Sequence, residues 1–392
     1  MSSDDDVRGT VRAWLAEHWD PARDRAGWLA AVVDAGYAVP RWPRAAHGLD
    51  LPDDQARIVE AEFARAGAPG SGQDRTNLWA NTLLSHGTDE LRDRLLRPLL
   101  ENRVRMCLLY SEPGAGSDLA GVRTSAVPDG TDYVVEGQKV WTSNAAGADY
   151  GMLLARTDPA VPKHRGLSFF FLPLDQPGVQ VRPLRQITGE AHFNEVFLTG
   201  ARVPAANVLG GPGQGWRVLL TALAYERVAL GQANLGAMTR ANGRAEADLV
   251  ELARRHGRDG DLLLRREIAR VVALRSVNRW TNQRAQAQAE QGSSSPLASL
   301  GKLAMSRIVH ETGRVQSAIV GPQALLEGPE NPDGDDANFA SMNAYFTSIG
   351  GGTDQIQRNI IGERLLGLPR EPEVDRDVPF QDVRHSSGPA GR

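Results

Sequence analysis

Apolar positions recur at helical spacing through the first hundred residues and then change period. Trp14 with Leu15, Trp28 to Val33, and Ile58 and Val59 with Phe63 fall near the 3.6-residue repeat, with turns expected at Pro40, Pro43 and Pro52. From about Val104 the apolar runs become short, β-branched and aromatic: Tyr133 to Glu136, Gly151 to Ala155, Leu167 to Leu172 and Glu195 to Leu198. Gly, Pro and Asp punctuate them, as strands of a small antiparallel barrel or sandwich require. After Val208 and Leu209, the stretch Gly210 to Gly215 opens a second helical region that runs to about Leu368. The pattern therefore predicts a helical part over residues 1–103, a β part over 104–209 and a helical part over 210–370. Residues 371–392 are polar, with few apolar anchors, and are expected to form a loose, flexible tail.

Composition narrows the functional classes. With 392 residues, 41% hydrophobic and 23% charged, the chain is an ordinary soluble enzyme in make-up and long enough for two or three structural units. A net charge of -4 with scattered arginines leaves no footprint for nucleic acid. The start, Met1 to Asp6, lacks the basic and apolar regions of a secretory signal, and no apolar run approaches the ~20 residues of a membrane span. A cytoplasmic protein is expected. Cys107 is the single cysteine, which rules out an intramolecular disulfide and a multi-thiolate metal site, and its neighbours Met106, Leu108 and Leu109 predict a buried structural thiol. The histidines never pair at the three- or four-residue spacing of a helical zinc site. The glycines of 210–215 have the wrong spacing for a dinucleotide fingerprint and read as a linker. Asp333-Gly334-Asp335-Asp336 lacks the closing Glu of a calcium loop and reads as a solvated loop.

Three segments carry chemistry. In Tyr110-Ser111-Glu112-Pro113-Gly114-Ala115-Gly116-Ser117-Asp118, glycines let backbone amides converge on a polar ligand edge; the plainer reading is a tight surface loop. Gly137-Gln138-Lys139-Val140-Trp141-Thr142-Ser143-Asn144 puts a large aromatic and short hydroxyls after a strand, although a tryptophan is ordinarily core. Ile349-Gly350-Gly351-Gly352-Thr353-Asp354-Gln355-Ile356-Gln357-Arg358 reads as a glycine turn that opens a helix. In order and spacing the three together resemble the acyl-CoA dehydrogenase family, from about Trp28 to Pro369.

The resemblance implies an α+β fold: an N-terminal α-helical domain, a middle antiparallel β-barrel-like domain and a C-terminal four-helix bundle. It implies FAD as cofactor. Leu108, Tyr110, Ser111, Gly116 and Ser117 would line the pyrimidine side of the flavin, Trp141 would pack on the ring, and Ser143 would bond near its reactive nitrogen. Ser117 would also mark the entry of the coenzyme A arm, and Thr353 and Gln355 fall where the family contacts FAD. An acyl thioester, on coenzyme A or on an acyl carrier protein, would be the substrate, with an electron-transfer flavoprotein or similar acceptor.

Medium- and short-chain members carry the catalytic Glu two residues before the Thr matched by Thr353; here that residue is Gly351. Isovaleryl- and long-chain members instead carry a Glu directly before an Arg on the first long helix of the bundle, where this chain has Glu226 and Arg227. Trp216, Leu219, Leu220, Leu223 and Leu230 predict one apolar stripe on that helix, with Glu226 and Arg227 beside it, so Glu226 is expected to face inward. A structural ion pair is the alternative role for such a Glu. Apolar walls would raise its basicity and Arg227 would oppose that. The backbone amide at Gly351 would hydrogen-bond the thioester oxygen, and the missing side chain leaves room for a bulky or branched acyl group.

The family's segments that hold the ADP half of FAD across a subunit interface are altered. One reads Ala253-Arg254-Arg255-His256-Gly257-Arg258, without its Phe, and the other Ala318-Ile319-Val320-Gly321-Pro322, without its Gln and second Gly. Arg254 would still reach a phosphate. A homo-oligomer with other contacts and a subunit of a two-subunit assembly, dimeric or tetrameric, both fit. The leading reading is α,β-dehydrogenation of an acyl thioester; a flavin-dependent oxidase or monooxygenase on the same fold, or a non-catalytic partner subunit, are the alternatives.

Overall fold

The structure, a computed structural model, describes residues 3–232, 248–290 and 297–383. These fall into two compact units, one made of residues up to 184 with 191–229 and the segment from 373, the other of 185–190 with 230–372.

The first unit begins with α1 (Asp4–His18), whose Ser3 and Asp6 cap each other reciprocally at 3.0 and 3.2 Å. Its inward face, with α2 (Arg25–Asp34) and α3 (Asp53–Ala66), gathers Trp14, Trp28 and Phe63, the Trp14–Trp28 and Trp14–Phe63 centroids lying 5.5 and 6.1 Å apart. α4 (Gln73–Thr76), α5 (Leu78–His86) and α6 (Asp89–Leu100) complete the helical layer.

Eight strands form one sheet: β1 (Met106–Leu109), β2 (Ser125–Asp129), β3 (Asp132–Ser143), β4 (Tyr150–Arg156), β5 (Leu167–Pro173), β6 (Val179–Leu184), β7 (Phe193–Pro204) and β8 (Val208–Leu209). The order is β6-β7-β3-β2-β4-β5-β8, with β1 on β4. Most pairs are antiparallel as expected, but β1 runs parallel to β4, and β2 meets β4 parallel at Ser125 and Arg156. Strand alternation sorts the core into two. Met152, Leu154, Phe169 and Phe171 pack with the helical layer, whereas Leu153, Ala155, Phe170 and Leu172 pack with Val135, Val196 and Val203. A strand buried on both faces reads as an unbroken apolar run, which is what Leu167 to Leu172 shows. Cys107 is buried in the second cluster, and burial pushes its thiol up to about 12.

α7 (Gly215–Gln232) starts hard against β5: a Cβ at Gly215 would lie 2.6 Å from the Ser168 backbone. Its buried line is Val218, Leu219 and Ala222, joined by partly buried Trp216 and Leu223. Leu220 is 48% exposed, so it leaves the predicted stripe; it follows Leu219 by about 100° around the helix and turns to the outer face. The side chains of Arg227 and Leu230 lie outside the described residues.

Residues 373–383 depart from the loose tail expected; residues 384–392 of that tail lie outside the described residues. Glu373 and Asp375 bond the Lys163 ammonium at 3.1 and 3.6 Å, and Phe380 and Gln381 donate backbone N–H to Val161 and Pro159. Phe380 is buried with the Arg156 guanidinium 3.4 Å from its ring centre, while Arg156 donates to the carbonyls of Ala120, Val122 and Lys163. One aromatic and two acids therefore anchor this strap. Phe380→Ala is expected to cost about 3 kcal/mol, in the range of buried aromatic truncations, read as a lower denaturant midpoint.

The second unit holds α8 (Leu249–Arg255), α9 (Leu262–Glu290), α10 (Leu297–Val320), α11 (Pro332–Ile349) and α12 (Asp354–Ile360). Leu252, Ile268, Val271, Val315, Ile319 and Ala337 form its core. Gly313 lets α10 approach α11, since a Cβ there would sit 3.1 Å from the Ser341 Cα. Asp333 to Asp336 form the first turn of α11 rather than a solvated loop. Pro332 presets the turn, its acids suit a helix start, and Asp333 accepts from Arg255 at 2.7 Å with His256 Nε2 at 2.9 Å.

Candidate active site

The first unit collects the predicted loop, the tryptophan segment and Glu226. A buried lysine organises the loop. Lys139 is fully buried on β3, and its ammonium donates to Glu112 at 2.8 Å and to the carbonyls of Tyr110 at 3.0 Å and Leu154 at 2.8 Å. The Glu112 carboxylate also accepts the backbone N–H of Arg123 at 2.7 Å and Thr124 at 2.9 Å. Both charges are thus fully bonded, the condition under which a buried pair holds. Burial pushes the Glu112 carboxyl up and the Lys139 ammonium pulls it down, leaving it below its ordinary value. Sequence reasoning assigned neither residue a role; the available signal was strand alternation, which puts Lys139 on the same inward side as buried Val135.

With its start pinned, the loop closes on itself through paired backbone bonds between Glu112 and Ala115 at 2.9 and 3.1 Å. Gly116, Ser117 and Asp118 face outward, and a Cβ at Gly116 would meet nothing within 4 Å, so internal packing does not demand glycine there. Leu108 and Ser111 are half-buried, the Ser111 carbonyl accepting from Val140 N–H at 2.9 Å.

Trp141 is not core. It is 58% exposed, stands at an irregularity of the β3–β7 ladder, and has φ +62°, a left-handed backbone uncommon for a bulky residue. Phe193 meets its indole edge-on at 6.0 Å, and Thr142 between it and Ser143 is buried. Trp141 and Ser143 therefore both present to the outside. A strained backbone holding out an indole face points to a function for that face.

Tyr110 and Glu226 belong together electrostatically. Tyr110 is buried, its ring 5.8 Å from Phe169, and its hydroxyl has no hydrogen-bond partner among the described residues. Burial first, and then the negative charge of Glu226, push its phenol well above the ordinary value, so it stays protonated. Glu226 follows Val218 and Ala222 at four-residue steps, continues the buried line of α7 and is half-buried.

The remaining predicted residues lie in the second unit. Arg254 is exposed on α8 and pairs with Glu251 at 3.6 Å. Gly351 has φ +65° and Gly352 +85°, backbone that disfavours a carboxylate-bearing side chain at either place. Thr353 caps α12, its hydroxyl accepting from Ile356 N–H at 3.2 Å, and Gln355 is exposed. Gln357, unassigned from sequence, is buried beneath this turn.

Models of the acyl-CoA dehydrogenase N-terminal, middle and C-terminal domains match residues 2–103, 107–200 and 213–366. The chain is 36% identical over 396 residues to the acyl-CoA dehydrogenase IpdE1 of Mycobacterium tuberculosis, covering 95% of this chain and 99% of that one. Among solved structures, the Tcur3481-Tcur3483 steroid ACAD is similar with a TM-score of 0.71 at 28% identity, covering 94% of this chain and 98% of the other. The ChsE4-ChsE5 complex of Mycobacterium tuberculosis gives 0.66 at 28% identity, covering 95% and 99%. This chain belongs to the acyl-CoA dehydrogenase family and is an oxidoreductase acting on acyl-CoA.

Proposed function

We propose that the protein carries out FAD-dependent α,β-dehydrogenation of an acyl-CoA with a bulky or branched acyl group, and that Glu226 removes the α-proton. The observation that carries this reading is the position of Glu226, on the buried line of α7 and coupled to the buried Tyr110 that opens the loop, while residue 351 is a glycine with positive φ. Val218 and Ala222 are buried on the same face of α7, so the half-buried Glu226 side chain follows an apolar line.

The residues present fit FAD. Trp141 offers an exposed ring face, Ser143 an outward hydroxyl beside it, and the outward loop at Gly116 and Ser117 accessible backbone. Leu108, Tyr110 and Ser111 would line the ring; Thr353, Gln355 and Arg254, in the other unit, are the further residues that the family resemblance assigns to FAD. Bound there, FAD supplies the acceptor for the hydride that leaves the β-carbon. Ser117 and Arg227 would meet the thioester and its carrier, and the backbone amide at Gly351 would be one donor to the thioester oxygen. Trp141→Ala is expected to leave folding stability within about 0.5 kcal/mol, because the side chain is exposed, yet to lower flavin retained per chain several-fold after gel filtration.

A second subunit and an electron-transfer flavoprotein or similar acceptor complete the reading. The names of the two solved neighbours, each a pairing of two proteins, support a two-subunit assembly. So do the altered segments at 253–258 and 318–322. Among the described residues, no helix is long and apolar enough to cross a membrane. A panel of acyl thioesters with a ferrocenium-type acceptor tests the proposal: branched or ring-bearing acyl-CoAs should turn over fastest, and preference for short straight chains would contradict the substrate assignment.

A further inference from the structure

The loop from Tyr110 to Asp118 is held at its two ends by different cations. Lys139 pins the start, while the outward part has no packing of its own, since a Cβ at Gly114 or Gly116 would meet nothing within 4 Å. Its end, Asp118, pairs with Lys163 on the turn between β4 and β5 at 3.3 Å. Lys163 is buried, and an ammonium carries three N–H donors. Three carboxylates surround this one: Asp118, and from the C-terminal strap Glu373 at 3.1 Å and Asp375 at 3.6 Å. Burial pulls the ammonium down, but Glu373, Asp118 and Asp375 outweigh it and leave the group above its ordinary value, so the cation persists at neutral pH. Just past the loop, Arg156 donates to the carbonyls of Ala120 and Val122 at 2.6 and 3.1 Å, and Phe380 of the same strap covers it. The strap therefore closes over both cations that fix the far end of the loop. Phe380 and the backbone N–H groups of Phe380 and Gln381 dock it on the turn. Its two acids are partly exposed and add little to that docking; what they do is shut the Lys163 ammonium off from water, which strengthens its hold on Asp118.

We propose that Lys163 is a positioning residue for the coenzyme A arm and that the strap is its clamp: Glu373 and Asp375 hold the ammonium against Asp118, which fixes the neighbouring Ser117 where the arm enters. This rests on the reading of Ser117 as that point of entry. It extends the reading to residues 373–383, which lie beyond the regions matched by the three domain models.

Titrations followed by the flavin absorbance of the flavin-loaded full chain test it, with two non-reacting probes. One is a branched S-alkyl-CoA thioether; the other is the S-alkyl-N-acetylcysteamine of the same alkyl group, which keeps only the sulfur end of the arm. Glu373→Gln combined with Asp375→Asn, which keeps both shapes and removes both charges, should weaken the coenzyme A probe about fivefold and leave the short probe unchanged. Glu373→Asp combined with Asp375→Glu keeps the charges and should bind the coenzyme A probe far more nearly as the parent does. Unchanged affinity of the neutralised chain for the coenzyme A probe overturns the inference, and so does equal weakening of both probes, the signature of a merely structural role. If the neutralised pair does not fold, Glu373→Gln alone is read by the same comparison. A parent that binds the coenzyme A probe yet forms no enoyl-CoA from the matching acyl-CoA would count against the dehydrogenation reading; the affinity comparison would still judge the clamp.

Discussion

Glu226→Gln should lower turnover of acyl-CoA by about a thousandfold, the scale of a lost general base, while flavin content and melting temperature stay close to those of the parent. Glutamine keeps the size and the half-buried position of the side chain but cannot take a proton. Three features of the molecule converge on this carboxylate. It continues the line of Val218 and Ala222, it lies in the unit that carries the loop proposed to hold the flavin, and its charge reaches the Tyr110 phenol. The competing role, a structural ion pair, predicts the opposite combination of lost stability with surviving turnover per flavin. Steady-state kinetics and thermal melting on the same preparation separate the two.

Lys139→Met is expected to be the most damaging change to folding, at about 3–5 kcal/mol, because it strands the buried Glu112 carboxylate without its counter-charge. The loop would lose its anchor at the Tyr110 carbonyl as well, so flavin should leave with stability. Acid reaches the same pair from the other side. The folded-state pKa of Glu112 lies below its ordinary value, so its ionisation contributes stability above the ordinary carboxylate range. That contribution is lost as pH falls through the folded value. Urea titrations of the parent and of Glu112→Gln over this acid range should converge, since glutamine lacks the ionisation that acid removes from the parent.

Much of this architecture was legible in the chain because its local signals agree with its packing. The run Leu167 to Leu172 spells a doubly buried strand, and Trp28 and Phe63 mark helix faces that meet in one core. The family was legible through the order and spacing of the glycine loops and the tryptophan segment. What was not legible depended on partners distant in sequence. Phe380 looks like a stray aromatic in a polar tail until Arg156 is seen beneath it. Trp141 looks like core until the ladder irregularity turns it outward. Lys139 and Gln357 are ordinary polar residues in one dimension; only folding shows that each satisfies backbone carbonyls from a buried position. The predicted stripe took in both Leu219 and Leu220, and only Leu219 is buried; the two differ by a single 100° step, finer than an apolar stripe resolves.

The α-hydrogen itself offers the most direct test. The flavin-loaded enzyme, incubated without electron acceptor in heavy water with a branched acyl-CoA, should place deuterium on the α-carbon, and the Glu226→Gln protein with the same flavin content should place none. Equal deuterium incorporation by both would show that some other group removes this proton and would contradict the account.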